Sequence, residues 1–400
     1  MVAALRHALL PLLFMVSTAC AHADGAFYDA GSPYRDLSKV EVGTIVHLRT
    51  GQAVDRATLV DHLARVQVVY AGETHDNPES HRVQAEILRA LAARHPDLAV
   101  GLEMVPRDQQ PLLDAWVAGR LEEKEFARQW TALWSTGYRP YQEILLFCRD
   151  HQIPLLALNA PRALVHAVAE NGLDGLAPEV RAQLPSHLDT GDPYHQAKTE
   201  ALFSGHSKAH TPDFDRFYPA QLLWDEAMAE SGADYLAHHP GAHLLVLAGG
   251  YHVEQGVGVP RRLFTRLPVP FATVVSFTPV VPPEKQDRLM KVEKMPEIPL
   301  LLADFAWAVA YGDLPGVQLG VVVGQTAASD RPGLAIDQVT EASPAAQAKL
   351  RAGDRITAVN GAPVNNLFDL QWLLSDLHKG NTAQVTVERD GGPETVAVTF

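Results

Sequence analysis

Between Val66 and Phe277 the chain alternates short β-branched, apolar runs with stretches of helical spacing. No other feature limits the fold as strongly. Strands that alternate with helices make βαβ units, whose crossovers lay helices on both faces of a mostly parallel sheet. Residues 66–70 end at Gly72 and read as a buried strand. Asn77 then offers an N-cap, Pro78 fits the first helical position, and Val83, Ile87, Ala90 and Leu91 follow at helical spacing until Pro96. The pattern recurs with strands at 98–102, 154–158 and 244–248, before helices opening near Asp108, at Pro161 and at Pro260. Residues 171–237 lack strand signals and are expected to form a helical insertion, with Phe217, Trp224 and Met228 on one face.

A second pattern follows a proline-rich, charged connector at 279–299. Strands are expected at 317–323, 334–339 and 355–360, a short helix opening at Ser343, and a helix over 366–377. Asp390-Gly391-Gly392 reads as a hairpin turn between two closing strands. Two domains suit a length of 400 residues. Lys and Arg number 33 against 47 Asp and Glu, a net charge of −14, so the chain lacks the field that gathers nucleic acid.

The amino terminus reads as a secretory signal covering residues 1–23. Arg6 is its basic start, and the apolar stretch 9–16 is too short to span a bilayer. Two processing sites are open: after Ala23, or before Cys20, which would then carry lipid as in a bacterial lipoprotein. Cys148, the one other cysteine, sits in an apolar run and reads as a buried, inert thiol.

The chemistry-bearing residues stand just past strand ends. Glu73 and His75 follow the first strand, Glu103 the second, Asn159 the third, and Gly249-Gly250-Tyr251-His252 the late one. In a parallel α/β sheet those ends converge on one rim, where ligands bind. Glu73, His75, Glu103 and His252 can hold a divalent metal or act as acid–base partners. Asp76, Asn77 and Asn159 also suit plain helix caps.

These segments carry a resemblance. Val69 to Pro78 (VYAGETHDNP), with His81 and Gln84 behind it, resembles the opening motif of the ChaN-like haem-binding lipoproteins. Gly101-Leu102-Glu103-Met104, Ala157-Leu158-Asn159-Ala160, Trp224-Asp225 with Met228-Ala229, and Gly250-Tyr251-His252 through Pro260 are similar to its later motifs, in order, and Ala303-Asp304-Phe305 closes the likeness. It covers residues 33–310, and it extends to the wider Tiki and erythromycin-esterase-like superfamily, which includes metal-requiring proteases and hydrolases. The resemblance implies a three-layer α/β/α fold. It implies haem or iron acquisition at the cell envelope, with haem held between the subunits of a homodimer. It further implies tyrosine ligation of the iron, for which Tyr138, Tyr141, Tyr218 and Tyr251 are candidates. His75 and His252 remain candidate cofactor ligands, as do His195, His206 and His210 in the insertion. Arg139, Arg261 and Arg262 are candidate propionate partners.

Residues 313–400 resemble a bacterial PDZ domain, a small β-barrel-like fold. Val317-Gln318-Leu319-Gly320-Val321 fits its carboxylate-binding loop, and LRAGDRITAVNG from Leu350 to Gly361 its most distinctive stretch. Such a domain would take the C-terminal peptide of another envelope protein as an added strand. The function expected is therefore haem binding with a peptide-binding module, in the periplasm or on an outer-membrane lipoprotein, with any membrane attachment through lipid on Cys20. The rival is a metal-dependent hydrolase or peptidase using Glu73, His75, Glu103 and His252.

Overall fold

The computed structural model describes residues 37–204, 213–288, 298–324, 332–389 and 392–400. Arg6, Cys20, Ala23, His206, His210, Asp390 and Gly391 lie outside the described residues.

The expected alternation is present. Strands β1 (Ile45–His47), β2 (Gln52–Val54), β3 (Val68–Glu73), β4 (Leu98–Pro106), β5 (Leu155–Asn159), β6 (His243–Gly249), β7 (Phe271–Phe277) and β8 (Phe305–Ala308) form one eight-stranded sheet, in the order β2-β1-β8-β7-β3-β6-β4-β5. The six strands from β8 to β5 run parallel, and β1 and β2 pair antiparallel. Strand periodicity sends successive side chains to opposite faces. Val69, Ala71, Val100 and Leu102 pack under the helices Pro78–Ala92, Gln110–Val117, Glu123–Leu133 and Gln142–Asp150. Val68, Tyr70, Leu244 and Val246 pack against Met228 and Leu236 of the helix Phe214–His238 and Leu263 of the helix Val259–Arg266. The result is a mixed three-layer α/β/α domain.

Asn77 caps the first of these helices as expected, accepting from the Glu79 N–H at 3.2 Å. The described residues of 171–237 form the helices Pro178–Arg181, Pro193–Ser204 and most of Phe214–His238 and no strand, but the long helix is more than an insertion. It is the layer over one face of the sheet, with Phe217 and Met228 buried and Trp224 half-buried. Cys148 is a buried free thiol, its pKa pushed up by burial.

The C-terminal region is an antiparallel sheet of β9 (Val321–Val323), β10 (Leu334–Val339), β11 (Arg355–Val359), β12 (Ala362–Pro363), β13 (Thr382–Arg389) and β14 (Gly392–Thr399), ordered β14-β13-β11-β10-β9 with β12 beside β11. Its core gathers Leu319, Ile336, Ile356, Leu370, Leu374 and Val385. The expected strand 317–323 is shorter, because residues before Val321 form a loop that hands the Leu319 carbonyl to the Ala345 N–H (2.9 Å). Gly320 sits at φ +79, where a Cβ would meet Ser343 Cβ at 2.2 Å, so only glycine fits that turn. The helix Leu367–Leu374 is capped by Asn366, which accepts from the Asp369 N–H at 2.9 Å.

The two regions touch. Arg139 donates to Ser375 Oγ (2.7 Å), pairs with Asp376 (2.6 Å) and lies 4.3 Å from the Trp372 ring centroid. Lys124 pairs with Asp369 at 2.6 Å. A cavity of about 490 Å³ is lined by Val317 to Val321, Leu367 and Gln371 on one side and by Ser135 to Pro140 on the other.

Candidate functional site

Parallel register assembles the site. Glu73 ends β3 opposite Gly249, which ends β6. On the other side of β6, β4 runs in register up to Leu102↔Leu247. Beyond Leu102 the β4–β5 pairing is irregular: the five residues of β4 from Leu102 to Pro106 run beside three of β5, from Ala157 to Asn159. A bulge of that kind re-aims side chains next to functional sites. Here Glu103 Oε2 accepts from the Gly249 N–H at 2.6 Å. Asn159 stands behind it, donating from Nδ2 to the Glu103 carbonyl (2.8 Å) while its Oδ1 accepts from the Ala160 N–H. Asn159 thus braces the bulge.

Carboxylates and imidazoles then alternate through the domain. The Tyr141 hydroxyl donates to Glu73 Oε1 at 2.5 Å, and His75 Nδ1 lies 2.8 Å from the same oxygen. His75 Nε2 faces Glu103 Oε1 at 3.9 Å, and His252 Nε2 lies 3.4 Å from that oxygen. His252 Nδ1 meets Asp225 Oδ1 at 2.7 Å, and Asp225 Oδ2 meets His195 Nε2 at 2.8 Å. Glu73, Glu103, Asp225, His195 and His252 are buried; the His75 side chain is 38% exposed and packs edge-on against Trp134. His75 is therefore where this chain of charges meets solvent.

Burial alone would neutralise each group, but the neighbours outweigh it. For His75 burial works downward, yet the Glu73 hydrogen bond and the Glu103 and Glu73 charges raise the pKa to about 9. For His252 burial is likewise overcome by Glu103 and Asp225, and the pKa stands at about 10. Burial would raise Glu73 and Asp225, but His81 and His75 hold the first, and His252 and His195 the second, well below the carboxylate range. At neutral pH the site is a set of paired ions. His81 Nδ1 lies 3.1 Å from Glu73 Oε2 and 3.3 Å from Gln84 Oε1, so the second Glu73 oxygen is buried in an ion pair with His81.

The tyrosines stand differently. Tyr138 donates to Glu123 at 3.2 Å and faces Trp372 of the C-terminal domain. The Tyr251 hydroxyl lies 2.6 Å from Thr199 Oγ1, and Tyr218 lies 3.4 Å from His195 Nδ1. Burial first, and nearby carboxylates next, raise the pKa of Tyr138, Tyr141 and Tyr251 far above the phenol value, so each carries its proton and none is a phenolate in this arrangement. Arg262 is buried against Glu226 at 3.1 Å, Arg261 pairs with Asp192 at 3.3 Å, and Arg139 is turned to the other domain. Of the nominated ligands, His75 is the one that becomes an axial donor to haem iron on losing a single proton, the one its Nε2 carries at neutral pH. Its Nδ1 is held by a carboxylate, as ligating imidazoles usually are, and its ring reaches the surface.

Sequence reasoning noted Asp225 and His81 as motif residues without giving them a role. It did not pick out Trp134 or Lys198. Lys198 is buried, donating from Nζ to the Tyr251 and Glu254 carbonyls at 2.9 and 3.2 Å. His81 and Asp225 lie within motifs, which was their signal; Trp134 and Lys198 lie outside every motif and offered none.

Comparison with known proteins follows the same division. The family model described as haem-binding uptake, Tiki superfamily, ChaN matches residues 59–263, and the PDZ domain model matches residues 316–400. The chain is 25% identical over 274 residues to Protein RETICULATA-RELATED 5, chloroplastic, of Arabidopsis thaliana, covering 63% of this chain and 35% of that protein. A probable periplasmic serine endoprotease DegP-like of Pseudomonas savastanoi pv. phaseolicola (strain 1448A / Race 6) is 39% identical over 71 residues, 18% of this chain and 15% of that protein. The chain thus spans about a third of the plant relative and less of the protease. A solved structure titled cofacial heme binding to ChaN of Campylobacter jejuni aligns with TM-score 0.49 and 19% identity over 66% of this chain and 95% of that one.

Proposed function

The chain belongs to the haem-binding uptake, Tiki superfamily, ChaN family and carries a PDZ domain, and on that premise we propose that it binds haem at the rim around His75 and recruits a partner through its PDZ domain. The role is haem or iron acquisition at the bacterial cell envelope, by an exported periplasmic or outer-membrane lipoprotein acting as a homodimer. The observation that carries the haem reading is the His75 imidazole, partly exposed and braced by Glu73. When bound, ferric haem supplies an iron centre whose reactivity follows its axial ligand. Glu73 orients the ring, Glu103 and Gly249 define the side it faces, and Trp134 gives it an aromatic wall. The test is a titration of the full chain with ferric haem: a saturable Soret shift at fixed stoichiometry supports the reading, and no saturable shift at micromolar protein overturns it.

The peptide reading rests on β9, an edge strand among the described residues, and on the groove between it and the helix Leu367–Leu374. Val322 and Leu367 expose apolar surface on that strand and that helix, 50% and 46%. An extended peptide adding to β9 would place its carboxylate at the Val317-Gln318-Leu319-Gly320 loop. Peptides with a free C-terminus should bind and amidated ones should not; equal binding contradicts carboxylate capture.

A second reading, a metal-dependent hydrolase or peptidase, is favoured by one observation. His75 and His252 converge on the same Glu103 oxygen, a buried cluster of strongly shifted groups of the kind active sites hold. A stoichiometric divalent metal lost from the His75→Ala/His252→Ala variant would support it; unchanged metal content would remove it.

A further inference from the structure

The opposite end of the same sheet holds a second cluster that neither reading uses. β4 and β6 are paired from their first residues, Leu98 against His243. This register sets Asp97, one residue before β4, beside His243: the His243 N–H reaches the Asp97 carbonyl at 3.3 Å, and its Nδ1 lies 3.4 Å from Asp97 Oδ1. His95 reaches in from the turn after the helix Pro78–Ala92, and its ring stacks on that of His243 at 3.6 Å and 21°.

We propose that His95, Asp97 and His243 form a divalent transition-metal site of the zinc class. Three points carry this. One donor atom from each residue lies within 4.8 Å of the other two. Bonds of about 2.0–2.2 Å in a tetrahedral site set donors roughly 3.4 Å apart, so on binding the two stacked rings must swing apart and turn their edges toward a common point. Next, His95 Nε2 lies 3.1 Å from the Ala64 carbonyl. A carbonyl can only accept, so Nε2 carries the proton and Nδ1 keeps its lone pair. An imidazole whose second nitrogen donates to a backbone carbonyl is the usual state of a metal ligand. Last, two imidazoles and one carboxylate, half-exposed, match the three-ligand open zinc set; imidazole donors favour zinc, nickel, cobalt or copper over magnesium or calcium.

The cluster is separate from the rim. Five to six strand residues at about 3.3 Å each put roughly 16–20 Å between His243 or Leu98 and the Glu103–Gly249 contact. The inference therefore stands or falls apart from haem binding.

The experiment uses untagged full-length protein stripped with a chelator and titrated with zinc chloride against a chromophoric competitor. One equivalent should bind in the wild type and in His75→Ala/His252→Ala. It should be lost in His95→Gln/His243→Gln, chosen to keep side-chain size, with an unchanged circular-dichroism melt. Asp97→Asn should weaken it at least about tenfold, the loss seen even for outer-shell partners. Cobalt titration should give the visible absorption of a four-coordinate ion in the wild type and not in the glutamine variant. Zinc stoichiometry and affinity unchanged in that variant, or an equivalent lost only from the rim variant, overturns the site.

Discussion

At the residue scale the account turns on paired, buried ions. Asp225 has no exposure and meets two imidazoles, His252 and His195. Removing one partner of such a set strands the others, which costs about 3–5 kcal/mol. Asp225→Ala should lower the free energy of urea unfolding by that amount; a loss under about 1 kcal/mol, the surface ion-pair range, would contradict it. The pH dependence has a defined sign. His75 and His252 titrate at about 9 and about 10 when folded, above the free histidine value of 6.5. Their contribution is fully present below that value and is lost as pH rises through 9 to 10. Glu73 and Asp225 are depressed, so their contribution is present above the ordinary carboxylate values and is lost on acidification. Stability should therefore be highest near pH 5–6.5 and decline toward pH 10, and His252→Asn should flatten the alkaline limb. An alkaline limb as steep in that variant as in the wild type would contradict the assignment.

Much of this was legible in the sequence. Glu73, His75, Glu103 and His252 stand after strand ends, so a parallel sheet had to gather them. The identity of their partners was not, because Asp225, His195 and Tyr141 belong to helices and turns whose docking no local pattern encodes. Tyr141 shows the limit. Its sequence context offers it as a ligand, while its hydroxyl is spent on Glu73.

At the element scale the long strands and the helix starts followed from local chemistry: Asn77 with Pro78, Asn366 and Ser343 each act as N-caps. The short strands β1, β2 and β8 did not, being three or four residues long with no full period to read. Strand register also gives Gly249 its role. A Cβ there would stand 2.7 Å from Cε1 and Nε2 of His75, although the backbone at φ −58 tolerates any residue. Gly249→Ala should thus keep the fold and push the His75 ring off Glu73. In an NMR titration the His75 pKa should drop from about 9 toward 6.5; an unchanged value would mean that the ring is not held there.

At the scale of the whole molecule, the domain junction lies against the site. Arg139 and Tyr141 share one turn, Arg139–Tyr141: Arg139 grips Ser375, Asp376 and Trp372, while Tyr141 grips Glu73. Exposed ion pairs contribute at most about 1 kcal/mol and a cation–π contact about 0.5–2 kcal/mol, so the docking is modest and breakable. Arg139→Ala combined with Lys124→Ala should enlarge the radius of gyration in small-angle scattering without changing either domain's secondary structure; an unchanged radius would show that other contacts hold the junction. The junction was not legible in the sequence, where Arg139 was a candidate propionate partner and nothing tied it to the second domain.

The net charge of −14 provides no general attraction for an anionic ligand. Recognition of haem must then be local, and His75 is where it is expected. The most direct test is a ferric-haem titration of the wild type beside His75→Ala, followed at the Soret band. Saturable binding in the wild type, with the band shifted and affinity reduced at least about tenfold in the variant, a difference of about 1.4 kcal/mol, is the predicted result. Identical spectra and affinities for the two proteins would contradict it.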